Sequence, residues 1–143
     1  MMKHTILILF LFLSLLCHGQ SYKFFTTDRE LSSSLINKIY QDRNGMIWIA
    51  TEDGLNRYDG AKFITYKHDP ENEYSLCHNY VRVLYEDSKG RLFVGTYNGI
   101  QLYDPETDSF SARAQWEDGK TFDSNIMSIL ERKIGRASCR ERV

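Results

Sequence analysis

The sequence predicts an all-β fold made of repeated four-stranded units, and three observations predict it. A pattern occurs twice at an offset of 45 residues: Asp42, Gly45, Trp48, Thr51, Gly54 and Tyr58-Asp59 align with Asp87, Gly90, Phe93, Thr96, Gly99 and Tyr103-Asp104. Aromatics make up 13% of the chain and Gly outnumbers Pro nine to two, a composition that suits short strands joined by tight turns. No stretch after the N-terminal segment keeps apolar residues at i, i+3, i+4 and i+7 over three turns, so a helical reading fails on periodicity. Units of about 40–50 residues are the size of propeller blades, and a repeat of that kind cannot bury both its faces alone. The expected architecture is a β-propeller fragment: two four-stranded blades and the first strand of a third, after a helical signal peptide.

The N-terminal segment, 1–19, has the layout of a secretory signal. Met1 to His4 is a short basic start, Thr5 to Leu16 is apolar apart from Thr5 and Ser14, and Cys17 to Gln20 turns small and polar. That order matches a basic region, an apolar core and a small residue before the cut, placed after Gly19. The run is short of the roughly 20 apolar residues that a permanent membrane helix needs. An uncleaved anchor and a lipid on Cys17 are the alternatives, the second disfavoured by the bulky Leu16.

Residues 20–34 form a lead-in edge segment, with Tyr22, Phe24 and Phe25 loosely alternating. Blade 1, 35–67, follows with strands at Leu35 to Tyr40, Met46 to Ala50, Leu55 to Tyr58 and Phe63 to Tyr66. Its turns are written in their residues: Asp42 and Asn44 bond their own backbone, Gly45 and Gly54 supply positive φ, and Asp59-Gly60 is a tight hairpin signal. A polar linker, 68–79, leads to blade 2, 80–114, with strands at Tyr80 to Tyr85, Arg91 to Gly95, Ile100 to Tyr103 and Phe110 to Ala112. Four strands joined by hairpins in one repeat are the meander of a propeller blade. The runs Met46 to Ile49 and Leu92 to Val94 are continuously apolar, which indicates strands covered on both faces.

Blade 3 begins over 115–131, with a strand at Asn125 to Leu130. Residues 132–143 leave the repeat: Arg132 stands where Asp42 and Asp87 predict Asp, and Ala137 to Cys139 stand where a buried strand is due. Lys133 to Val143 is what a common short-read sequencing adapter spells in one reading frame, so this tail is taken as an artefact and set outside the fold; a diverged basic terminus is the alternative. Of the three cysteines, Cys17 falls in the signal and Cys139 in the tail, which leaves one, Cys77, in the mature domain, and one cysteine makes no internal disulfide.

The net charge of −1 lacks the electrostatic footprint of a nucleic-acid binder. Asp42, Asp53, Asp59, Asp87 and Asp104 do not have the spacing of a calcium loop and read as turn residues. A zinc site needs three or four ligands in reach, and His68 and His78, with Cys77 beside the second, read instead as two solvated histidines. Trp48 and Phe93 could stack on sugars, but at one repeat position inside apolar triplets they read as core between blades. Thr51 and Thr96 recur without a base that would make them nucleophiles. Gly54 and Gly99 are single turn glycines and not a phosphate loop. No catalytic, cofactor-binding or metal-ligating residue is assigned, and no cofactor is expected.

The segment Asp42 to Asp59 resembles the two-component regulator propeller repeat, and the likeness runs from about Tyr22 to Glu131. Phe93 in place of Trp, Ala50 in place of Gly and Ile100 in place of Leu are its departures. The resemblance implies a periplasmic sensor segment of an inner-membrane hybrid histidine kinase, homodimeric when full length, with further blades of the same chain as partners and a glycan as ligand. An exported scaffold propeller with no kinase, or a propeller-based glycan-active enzyme, are the rival readings.

Overall fold

The first hairpin is set by Asp42, whose Oδ1 accepts the backbone N–H groups of Asn44 and Met46 at 2.9 and 3.0 Å. Gly45, at φ 84°, closes that turn. The computed structural model describes residues 24–27, 30–111, 125–132 and 136–141. Within them the turn joins β1 (Ile36–Gln41) to β2 (Ile47–Thr51), followed by β3 (Gly54–Tyr58) and β4 (Phe63–Tyr66) in one antiparallel sheet of that order. The second sheet repeats the meander as β5 (Val81–Glu86), β6 (Leu92–Thr96), β7 (Gly99–Asp104) and β8 (Ser109–Phe110). No helix occurs among the described residues. The expected signal peptide, the lead-in up to Lys23 and the segment 112–124 lie outside the described residues.

The two sheets share their irregularities as well as their order. Each first strand breaks register at the same repeat position, between Ile36 and Lys38 in one and between Val81 and Val83 in the other. A bulge re-aims the residue it displaces. Asn37 thereby bonds the Val81 carbonyl of the next sheet at 2.8 Å, and Arg82 bonds Asn125 Oδ1 at 3.1 Å. Successive first strands therefore lie side by side, β5 against β1 and β9 (Ile126–Arg132) against β5.

The core sits between sheets. Trp48, Ala50 and Leu55 of the first pack with Val81, Leu84, Leu92, Val94, Tyr103 and Phe110 of the second. A second cluster joins Ile100 and the half-buried Val83, Tyr85 and Phe93 to Ile126 and Ile129 of β9. Trp48 and Phe93 each face the following unit, so a single repeat position builds both interfaces.

Two expectations are corrected. The lead-in carries no strand among its described residues. The N–H groups of Glu30 and Leu31 instead bond the Thr26 carbonyl in a turn, and Phe25 lies edge-on to Tyr58 and Phe63. β8 is Ser109–Phe110, starting one residue earlier than expected, and at Ser111 the hydroxyl, and not the backbone carbonyl, accepts the Leu102 N–H; Ala112 lies outside the described residues. Residues Arg136–Glu141, in the tail read as an artefact, pair as β10 on β9, with Ala137 opposite Glu131, which leaves that reading as it stood. A backbone ladder forms from N–H and C=O groups that every non-proline residue carries, so the loss of apolar pattern does not prevent it.

Candidate functional site

The aspartates that stand in the sequence as metal candidates serve the turns. Asp42 and Asp87 each cap a β1–β2-type turn through Oδ1, the latter accepting Lys89 and Arg91 N–H groups at 2.9 Å each. Asp59 and Asp104 accept backbone N–H groups from Ala61 and Lys62 and from Glu106. The Lys62 and Ala61 N–H groups hold the Asp59 carboxyl below its usual range, and the Thr107 hydroxyl, followed by the Glu106 N–H, does the same for Asp104. Asp53 pairs with Lys67 at 2.6 Å and accepts from Asn79. Among the described residues no group of three or more His, Cys, Asp or Glu could hold a metal ion.

Thr51 and Thr96 do the same local work. Each hydroxyl donates to the carbonyl three residues on, Gly54 or Gly99, and accepts the N–H two residues on. Each also meets the segment that leads into its blade, Ser32 Oγ at 2.9 Å for Thr51 and Cys77 Sγ at 3.1 Å for Thr96. Gly54 is held at φ 130°, and a Cβ there would stand 2.8 Å from the Tyr66 carbonyl.

Sequence reasoning missed the polar anchors beneath these turns. Asn56 is fully buried and binds the Ser32 N–H and hydroxyl; Gln101, one period later, binds the Cys77 N–H and the carbonyls of Ser75 and Ser111. The signal was present as an amide residue recurring inside an apolar strand.

Between the blades, Glu86 gathers the Tyr40 hydroxyl at 3.0 Å, the Arg43 N–H at 3.1 Å and the Arg43 guanidinium at 2.5 Å. Farther out, Arg57 lies over the rings of Trp48, Tyr66 and Tyr103 at 5.6, 5.7 and 5.8 Å and forks onto both oxygens of Asp108. Tyr66 and Tyr103 both donate to Asp108 Oδ1. Burial opposes ionisation of Asp108, yet these two hydroxyls and Arg57 outweigh it and hold the carboxyl below its ordinary range. Burial and the Asp108 bond push Tyr103 up to about 12 and raise Tyr66 further, so both phenols keep their protons as donors. This is a charged latch across an interface, with the Asp108 carboxylate at its exposed end.

Two surfaces remain. A cleft of about 840 Å³ has Leu102, Pro105, Phe110 and Tyr74 on its walls, with Arg91 and Asn72 among its polar groups. At the opposite end of the strands, the two ends of the linker, at His68 and at Cys77 to Asn79, meet the β2–β3 and β6–β7 turns on one face. His68 is exposed there, its Nδ1 2.6 Å from the Leu76 carbonyl. His78 is half-buried and not simply solvated: its ring centroid lies 5.6 Å from that of Tyr97.

Residues 30–53 and 75–98 match the model described as two component regulator propeller. The matched stretches are one period apart, and each covers the end of the segment leading into a blade, the first two strands and the start of the turn after the second, stopping one residue before Gly54 or Gly99. A crystal structure described as the extracellular domain of the hybrid two component system BT3049 from B. thetaiotaomicron superposes with a TM-score of 0.66 at 29% identity, over 79% of this chain and 16% of that one. The extracellular domain of the hybrid two component system BT4673 from the same organism gives 0.68 at 24% identity, over 86% of this chain and 18% of that one, a likeness of fold. Histidine kinase P4 of Formosa agariphila is 40% identical over 73 residues, which are 48% of this chain and 5% of that protein. The chain thus spans a small part of the length of each relative.

Proposed function

From two repeats of the two-component regulator propeller type, we propose that this chain is part of the periplasmic ligand-sensing region of a hybrid two-component histidine kinase. It is exported and held at the inner membrane, it answers to a glycan, and no catalytic step falls to the residues described above. The observation that carries the reading is the repeat itself: the capping aspartate, the turn threonine and the inter-blade aromatic position recur at 45 residues, within the two stretches that match the two-component regulator propeller model. The likeness at 29% identity to an extracellular domain of a hybrid two component system supports the location.

Mechanistically, a stack of blades joined by latches such as Arg57–Asp108 is stiff, which suits it to present a ligand face and to transmit a change in how two protomers pack. A ligand shifts that packing only by its differential affinity for the two arrangements, and about 1–3 kcal/mol of coupling is a typical size. The partners are further blades of the same chain and a second protomer; the segment makes no contact with nucleic acid. The test is the reading frame and its product. The gene is expected to continue through more blades to a membrane helix and a kinase core, and the purified kinase to change its autophosphorylation with an oligosaccharide. A stop codon soon after the last blade, with neither of those parts, would replace this reading with an exported scaffold.

A further inference from the structure

The two blades keep one backbone frame but differ in what they display on the face formed by the linker and the β2–β3-type turns. In both blades the residue after the turn threonine donates its N–H to the lead-in carbonyl, Glu52 to Leu35 at 3.2 Å and Tyr97 to Tyr80 at 3.0 Å. The side chains on this shared frame are Ser33, Leu35 and Glu52 in the first blade, and His78, Tyr80 and Tyr97 in the second. Elsewhere the offset preserves what the fold needs: the capping Asp, the turn Thr and Gly, and the aromatic between blades. Three positions that become aromatic or imidazole together in one blade only are not demanded by the repeat. None of the three belongs to either core cluster.

The three rings form one group. Tyr97 is 54% exposed. Its centroid lies 5.6 Å from His78 and 6.2 Å from Tyr80, which meets it edge-on at 61°. The group is braced from both sides. The Tyr80 hydroxyl donates to Glu52 Oε1 of the first blade at 3.1 Å, and the Tyr80 N–H donates to His78 Nδ1 at 2.9 Å. The second bond leaves the proton of the neutral imidazole on Nε2. Arg82 lies over the Tyr80 ring at 5.4 Å, so that ring's face already holds a cation while Tyr97 remains the open one.

We propose that Tyr97, His78, Tyr80 and Glu52 form a binding subsite for a neutral oligosaccharide. An exposed phenol offers an apolar face with a polar edge, which matches the C–H face and hydroxyl rim of a pyranose. A few convergent polar groups around an apolar surface fix the orientation of such a ligand. Tyr97 takes the sugar face, Glu52 accepts from a ring hydroxyl, and His78 Nε2 donates to a neighbouring one. The carboxylate at the rim disfavours an anionic sugar. The subsite rests on the glycan-sensing reading above and places it on residues of this chain.

The experiment uses the intact protein on immobilised neutral hexasaccharides of β-1,4-glucose, β-1,4-mannose and α-1,4-glucose, with a sulfated hexasaccharide beside them. At least one neutral probe is expected to bind. Tyr97→Ala is expected to weaken it about tenfold or more, a loss readily resolved in Kd, while Tyr97→Phe stays within about twofold because the ring face is kept. Tyr74→Ala, an exposed tyrosine on the cleft, is the control expected to leave binding unchanged. Binding of the sulfated probe alone, of no neutral probe, or of Tyr97→Ala as tightly as wild type overturns the subsite. Autophosphorylation separates the two readings. A sugar response that persists in Tyr97→Ala sinks the subsite and keeps the sensor; sugar binding lost in Tyr97→Ala but never coupled to phosphorylation keeps the subsite and sinks the sensor.

Discussion

The indole Nε1 of Trp48 donates to Asp42 Oδ2 at 2.8 Å, so the residue that fills the interface between blades also completes the turn of its own hairpin. In the second blade Phe93 has no N–H to give. The vacancy at Asp87 Oδ2 is taken by the Arg91 guanidinium at 2.7 Å, and the same guanidinium lies over the Phe93 ring at 5.4 Å. Met46 and Trp48 in one blade, and Arg91 and Phe93 in the other, are thus two solutions to one pair of demands.

The first prediction follows from that exchange. Trp48→Ala should cost about 3–5 kcal/mol in the intact protein, as buried large-to-small aromatic changes do. Trp48→Phe should cost less, about 1–3 kcal/mol, chiefly by leaving an Asp42 oxygen unpaired. Adding Met46→Arg to Trp48→Phe should recover about 0.5–1 kcal/mol, whereas Met46→Arg with Trp48 present should give no gain. Urea denaturation of wild type, Trp48→Phe, Met46→Arg and the double variant forms a double-mutant cycle, and zero coupling would remove the exchange as an explanation.

The turns and strands of this fold were legible because their demands are local. Asp42 and Asp87 cap backbone two and four residues away, and Gly45 and Gly90 adopt positive φ, so spacing in the chain reports geometry directly. The latch was not legible. Arg57 and Asp108 are 51 residues apart, and the residue one period after Arg57 is Leu102, so no recurrence marks the pair. The aromatic group at Tyr97 was hidden for the opposite reason. A search for recurrence rewards agreement between repeats, while His78, Tyr80 and Tyr97 are positions of disagreement. The lead-in misled because Tyr22, Phe24 and Phe25 alternate loosely as a strand would, whereas Thr26 closes a turn and Phe25 lies against Tyr58 and Phe63.

The second prediction concerns one methyl group. Gly95 and Ala50 hold the same repeat position, yet neither blade should accept the other's residue. A Cβ at Gly95 would stand 2.9 Å from Ile126 Cγ2 and 3.2 Å from Val83 Cβ, so Gly95→Ala overpacks the next interface. The expected loss is about 1–3 kcal/mol. Ala50→Gly should also destabilise, by about 0.5–1 kcal/mol, through backbone freedom gained on unfolding. A Gly95→Ala variant as stable as wild type would show that β9 does not lie where Ile126 places it.

The third prediction is a pH dependence. Burial would raise the Asp87 carboxyl, but the Arg91 and Lys89 N–H groups and the Arg91 guanidinium outweigh it and hold it below its usual range. A carboxyl whose folded pKa lies below the unfolded value of about 3.9 binds fewer protons folded than unfolded. Its contribution is therefore complete above about pH 4 and lost as pH falls through the folded value. Asp108 acts in the same direction. The urea midpoint should stay level from about pH 7 to 5 and fall steeply below 4. Asp87→Asn should lower the midpoint at neutral pH and flatten the acid slope; an unchanged slope would assign the acid sensitivity to other carboxyls.

The last prediction turns on positions that the repeat makes equivalent but the structure covers unequally. Val81 and Leu84 are 0% and 4% exposed where the second blade meets the first, while Ile36 and Ile39, one period earlier, are 44% and 58% exposed. Phe25 shields the outer part of that face through Tyr58 and Phe63 but leaves the β1 end open. Apolar area left in water forgoes about 25 cal/mol per Å², and a repeat stripped of a neighbour loses that interface term entirely. Residues 20–131 expressed alone should therefore melt without a sharp transition and associate as concentration rises. Replacing both Ile36 and Ile39 by Lys should suppress the association without sharpening the melt, because charge on an open sheet face blocks pairing but adds no packing. A cooperative, monomeric transition for the unaltered segment would show that its core suffices alone, and that the bare face of β1 is ordinary surface with no blade to meet.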